Sequence, residues 1–316
     1  MTSPTNDLTV LHEIYTASIV AAFRKNANRE NRLDIVYDTL TAASKRFATA
    51  KRHLSECLQF ASDQDGLDTD RLKRLREPID YADWKAVHNE LLVPYFFAKV
   101  FKLKIKFTTS AARRGLGDFQ IALPTDHVIV EVKTPRGDIL AKDQSEDDGH
   151  EGFDEYLLNS VFRDAAKEMQ PGNKNLIIVS TRLCKSILDS RALEKLLYGH
   201  KKLSVAFDQK QRNTVEPLET EFVPDGHLIK HRGKRFTRIS AVASFKEDII
   251  YRLPVSDGPQ QVHFAILHNY HAECPIPPEL FPGVEQFVAN RERGRVEQIN
   301  SGCDGFAIDP GTEIGQ

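Results

Sequence analysis

Cysteine is scarce: Cys57, Cys184, Cys274 and Cys303 are the only 4 in 316 residues, and no two stand at a metal-ligand spacing. That excludes a disulfide scaffold and a CxxC zinc site, and makes reduced, cytoplasmic thiols the expectation. Long apolar runs are missing too. None approaches the roughly 20 residues that cross a bilayer, so no membrane contact is expected. Met1–Asp7 lacks the basic-then-apolar pattern of a secretory signal. Charge of one sign is not in excess: 43 Lys and Arg face 45 Asp and Glu, a formal net charge of −2. This is not the balance of a basic nucleic-acid coat, so any nucleic-acid contact must rest on a local groove. There is no repeat, low-complexity tract, glycine-rich phosphate loop or Ser/His/Asp elbow. What remains is an ordinary globular composition, 41% hydrophobic and 28% charged. The length suits two or three domains or one elaborated core.

The most informative stretch runs from Gly117 to Pro135. Phe119, Ile121 and Leu123 alternate with polar or small residues. So do Val128, Val130 and Val132 with His127, Glu131 and Lys133, although Ile129 also falls on their side. Period two with β-branched residues predicts two strands, and Pro124-Thr125-Asp126 between them is turn chemistry. Matching the apolar faces sets Phe119 opposite Val130, Ile121 opposite Val128 and Asp118 opposite Glu131. One face then goes to the core. The other carries Asp118, Glu131 and Lys133 together.

Neighbouring carboxylates repel unless a cation lies between them. Lys133 supplies part of that compensation, and a hard cation such as Mg²⁺ can supply the rest through one or two carboxylates. A metal so held can polarise a phosphoryl oxygen and acidify water. Asp118, a gap, then Glu131-Val132-Lys133 on a hairpin resembles the PD-(D/E)xK, or restriction-endonuclease-like, nuclease superfamily. The resemblance implies a core of helix, three strands, helix and strand, and Mg²⁺-dependent cleavage of DNA, with Mn²⁺ as a substitute. Asp118 and Glu131 would hold the metal and Lys133 would act on the water. Glu90, on the helix before the first strand, matches the auxiliary acidic position of many members; an ordinary exposed or capping glutamate is the alternative. Gly117 stands where the family label has proline.

The flanks supply further expectations. Residues 8–25 and 30–61 have helical spacing. In the second, Leu33, Leu40, Phe47, Leu54 and Ala61 recur every seven, with Val36, Ala43, Ala50 and Cys57 between them. This seam predicts either a hairpin with the first helix or a homodimer arm. The basic run Arg71–Arg76 reads as a solvated helical face. Residues 80–101 predict an apolar helix kinked or restarted at Pro94. Leu103–Thr109 predicts a strand. Arg113 and Arg114 could grip a phosphate or lie in a solvated loop. Residues 136–155 read as an acidic loop, residues 154–169 as a helix offering Lys167 and Gln170 to substrate or to solvent, and residues 176–180 as a strand. Beyond these, the sequence predicts a helix at 186–198, strands at 203–207, 237–245 and 262–267, a basic tip at Lys230–Arg235, a helix at 283–299 and a frayed tail.

The expected architecture is α/β, with a restriction-endonuclease-like core of mixed central sheet flanked by helices. A long-helix N-terminal hairpin and extra C-terminal strands are added to it. The expected division is a helical region 1–79, a nuclease core 80–182 and an α/β extension 183–316. The resemblance implies nucleic acid, DNA first, as partner, in microbial defence or DNA processing. An activating protein partner and a catalytically silent nucleic-acid-binding or assembly subunit stay open as alternatives. If the charged face is only structural, Asp118 and Glu131 should be exposed and apart, because burying both without a metal is costly.

Overall fold

The computed structural model describes residues 8–109, 115–135, 160, 162–181, 197–207, 215–223, 226, 228, 236–247, 260–290, 295–302 and 305–308. It is organised on α6 (Tyr81–Phe101), a helix with apolar residues on every side and buried along nearly its whole length. Asp80 caps its first turn by accepting from the Asp83 N–H, and the helix continues through Pro94 without a restart. One side of α6 packs on the sheet and the other on the N-terminal helices. Phe96, Phe97 and Phe101 contact Phe119, Phe264, Phe281 and Phe306, with ring centroids 5.3–6.1 Å apart where they touch.

The N-terminal segments are shorter than their periodicity suggests. They are α1 (Thr9–Ile14), α2 (Ala17–Asn26), α3 (Leu33–Thr41), α4 (Lys45–Asp63) and α5 (Thr69–Arg76). The continuous helix expected over 30–61 is therefore two. Ala42 adopts a left-handed conformation (φ +53°) that ends α3, and Ser44 restarts the chain as the N-cap of α4. The seam residues Leu33, Val36, Leu40, Leu54, Cys57 and Ala61 are buried in the chain's own core rather than along a long hairpin. A heptad pattern reports which face is buried, not that the helix is unbroken. Trp84 Nε1–H donates to the Tyr15 hydroxyl at 2.9 Å, tying α1 to α6.

The main sheet is mixed. Its strands are β1 (Lys104–Phe107), β2 (Phe119–Ala122), β3 (His127–Lys133), β4 (Lys174–Thr181), β7 (Ala241–Glu247), β8 (Gln260–His268), β9 (Glu285–Asn290), β10 (Arg295–Ser301) and β11 (Gly305–Ile308). Their order is β1-β2-β3-β4-β7-β8-β9-β10, and β11 pairs with residues 260–263 of β8, whereas β9 pairs with residues 265–268. β5 (His200–Phe207) and β6 (Val215–Val223) form a separate antiparallel pair. β1, β2 and β3 are an antiparallel meander, and β4 then lies parallel to β3, as does β7 to β4. Between β3 and β4, residues 162–168 are helical. Phe162, Ala165, Ala166 and Met169 pack there with Ile129, Ile177 and Val179, opposite the face that α6 covers. The α6-side apolar cluster runs from Leu11 to Val284, across both expected domain boundaries.

The expected helix at 283–299 is replaced by β9 and β10, joined antiparallel with a bulge between Gln298 and Asn300. The Glu-, Gln- and Arg-rich composition favours a helix locally, but β9 is recruited by the open edge of β8. Its inward Gln286 is fully buried and donates to the Pro278 and Phe281 carbonyls. The strand expected at 237–245 begins only at Ala241. The acidic loop at 136–155, the basic tip at Lys230–Arg235, most of the helix at 186–198 and the far tail lie outside the described residues.

Candidate functional site

The hairpin register is the one read from the sequence: Phe119 pairs with Val130 and Ile121 with Val128. Asp118 extends it, its N–H donating to the Val130 carbonyl at 2.8 Å. Its side chain turns back onto β3, where Oδ2 accepts the Val132 N–H at 2.8 Å. Glu131 and Lys133 follow on the same face, with Lys133 Nζ 2.6 Å from Glu131 Oε1. Asp118 and Glu131 are 5% and 7% exposed, so the structural expectation of exposed, separated carboxylates fails.

Three carboxylates, Asp118, Glu131 and Glu168, act on Lys133. Burial, then the charge of Asp118, pushes Glu131 up to about 8, against the pull of Lys133. Burial works against the Lys133 ammonium, but Glu131, Glu168 and Asp118 outweigh it and hold its pKa above the ordinary lysine value. Glu168 was not anticipated. Its Oε2 accepts from Lys133 Nζ at 3.2 Å, and the two are brought together only by the packing of residues 162–168 over β3.

The glycine that departs from the family label has a reason in the backbone. Gly117 has φ +63°, which proline's ring forbids, and a Cβ there would lie 2.4 Å from the Val130 carbonyl oxygen. The turn needs glycine so that Asp118 can reach the hairpin edge. Gly115 (φ +83°) lies against the side chain of Gln170. This places Gln170 beside the approach to Asp118, whereas Lys167 is exposed and paired with Asp164 at 2.7 Å. Arg113 and Arg114 lie outside the described residues.

Glu90 is buried, but its partners are cationic. Oε1 accepts from Arg74 at 2.9 Å and Oε2 from Arg71 at 3.3 Å. Arg71 itself is fully buried. It donates to the carbonyls of Asp118 (2.9 Å), Thr108 (3.1 Å) and Gly66 (3.1 Å). The expected solvated basic face is thus corrected at Arg71, which shares the inward side of α5 with Leu75. Among the described residues no group of three or more His, Cys, Asp or Glu is arranged to hold a metal. Glu90 is thus not grouped with Asp118 and Glu131 among the described residues; with Asp68, 3.8 Å from the guanidinium, it is a counter-ion of the arginine that holds the Asp118 backbone. No helical spacing could have told a buried arginine from a solvated one.

The chain matches no protein-family model, no curated protein and no solved structure. The chemistry of the site stands on its own residues. Two buried oxygen-donor side chains, one with a strongly raised proton affinity, fit a hard divalent cation, which takes one or two protein carboxylates and keeps its waters.

The proton on Glu131 gives a pH prediction. A carboxyl raised from 4.5 to about 8 on folding stabilises the metal-free protein fully below 4.5, and that contribution is lost as pH rises through 8. The melting temperature in chelator should fall across this window in wild type and stay flatter in Glu131→Gln. If Glu131 holds a divalent cation, binding of Mg²⁺ should release a proton below pH 8 and tighten toward it. Mg²⁺ binding without proton release would contradict the raised proton affinity of Glu131.

Proposed function

We propose that the protein is a metal-dependent nuclease with a restriction-endonuclease-like core, hydrolysing phosphodiester bonds, DNA first among them. The observation that carries this reading is the buried pair of Asp118 and Glu131 with Lys133 Nζ 2.6 Å from Glu131. The order of elements supports it: α6, the antiparallel meander β1–β3, helical residues 162–168, then β4 parallel to β3. That is the sequence of elements the resemblance implies.

Asp118 and Glu131 would hold Mg²⁺, which when bound supplies charge neutralisation at a phosphoryl oxygen and a more acidic water. Asp118 stays oriented by the Val132 N–H and by the grip of Arg71 on its carbonyl. Lys133 exchanges part of its contact with Glu131 for the attacking water and stabilises charge developing on the phosphoryl oxygens. Gln170 faces the approach loop at Gly115, where it can meet the substrate backbone.

The test is cleavage of plasmid and of single-stranded DNA with Mg²⁺ or Mn²⁺. Asp118→Asn, Glu131→Gln and Lys133→Ala should each lower the rate by about 10²-fold or more, and chelator should abolish it. Activity that survives in all three variants would sink the assignment. Saturable, Asp118-dependent metal binding with no cleavage of either substrate would favour the silent, nucleic-acid-binding subunit instead.

A further inference from the structure

Away from this site, the N-terminal helices enclose an open cleft of about 790 Å³ between α1, α2, α3 and α4. Its floor is apolar, with Leu11, Val20 and Leu40. Its rim is cationic, with Arg24, Lys25 and Lys51, and no carboxylate lines it. Among the described residues none of these three cations is in an ion pair. Arg24 is instead laid over the Tyr37 ring at 5.5 Å, with Nη1 3.4 Å from its hydroxyl. Residues 17–52 carry more Lys and Arg than Asp and Glu, in a chain whose net charge is −2.

We infer that this cleft docks an acidic amphipathic helix of a protein partner. An apolar floor between helices, bounded by charge of one sign, is the receiving half of a helix-in-groove contact. Leucine-like side chains would fill the floor while carboxylates on the flanks meet Arg24, Lys25 and Lys51. The cleft is too open to enclose a small ligand, since His12, Ala17, Ala21 and Thr41 are exposed along it. A nucleic-acid strand fits less well. It calls for stacking platforms beside the cations, and the half-buried ring here, Tyr37, is already covered by Arg24. The inference is independent of the nuclease reading, because no residue of the cleft belongs to that site.

The test uses the full chain and a fluorescent, helix-forming peptide of about 18 residues, with leucines three and four apart and glutamates on the other face. A scrambled peptide of equal composition and a single-stranded oligonucleotide are the controls. Fluorescence anisotropy should show saturable binding of the periodic peptide, about tenfold tighter than the scrambled one. Lys25→Glu with Lys51→Glu, which leaves the Arg24–Tyr37 contact in place, should weaken it about tenfold, and so should Val20→Glu; unchanged melting temperatures confirm that the variants are folded. The proposal is overturned if the periodic peptide does not bind, if the scrambled one binds equally, or if charge reversal leaves peptide binding intact. It is equally overturned if the oligonucleotide is the ligand lost on charge reversal.

Discussion

Glu90→Ala should destabilise the protein by about 3–5 kcal/mol, because it removes the hydrogen-bonded carboxylate from a buried guanidinium and leaves it only Asp68, 3.8 Å away. Arg71 has no exposed surface, and its other hydrogen bonds are to neutral carbonyls, while Arg74 shares the same carboxylate. Urea unfolding of wild type and variant reads the difference directly. Glu90→Gln separates two roles of this residue, since it keeps the shape and some of the hydrogen bonds. A folded Glu90→Gln protein that binds Mg²⁺ as wild type does, with reduced stability, is the expected outcome. Normal stability with lost metal binding would make Glu90 a ligand rather than a counter-ion.

Gly117→Ala should cost about 2–4 kcal/mol, a sum of two effects. A left-handed backbone at φ +63° costs a non-glycine residue roughly 1 kcal/mol. The added Cβ also meets the Val130 carbonyl oxygen at 2.4 Å, and backbone in the middle of a sheet cannot give way as a side chain would. Relief must come from moving the 115–118 loop, which shifts Asp118 off the hairpin edge. The rate of any cleavage should therefore fall more than stability alone explains, since a displacement near 1 Å can cost about 10²-fold. Wild-type stability and rate in Gly117→Ala would show that the turn is not strained as described. Gly117→Pro, the residue the family label carries there, should be worse still, because its ring excludes positive φ altogether.

These two residues also mark the limit of what could be read from the chain. The hairpin, its register and the shared face of Asp118, Glu131 and Lys133 were legible because side chains alternate across a strand: a slip of one residue would turn the charges toward the α6 side in place of Phe119 and Val130. Helix α6 was legible from its continuous apolar content, and the meander followed by a helical segment and β4 from pattern and turn chemistry. The N-terminal seam was legible as a buried face but not as two helices, since nothing in an alanine at position 42 announces a left-handed turn. The strands β9 and β10 were read as a helix, because their residues favour one until the edge of β8 offers partners.

The sequence by itself determined the local periodicities and, through them, which carboxylates meet across a hairpin. Only the tertiary structure decided what surrounds them. It buried Asp118 and Glu131 deeply enough to raise the Glu131 proton affinity, brought Glu168 to Lys133, and turned Arg71 from an apparent surface charge into the clamp on the Asp118 carbonyl. Periodicity is a property of neighbours along the chain, whereas desolvation and ion pairing depend on distances between elements that only packing sets.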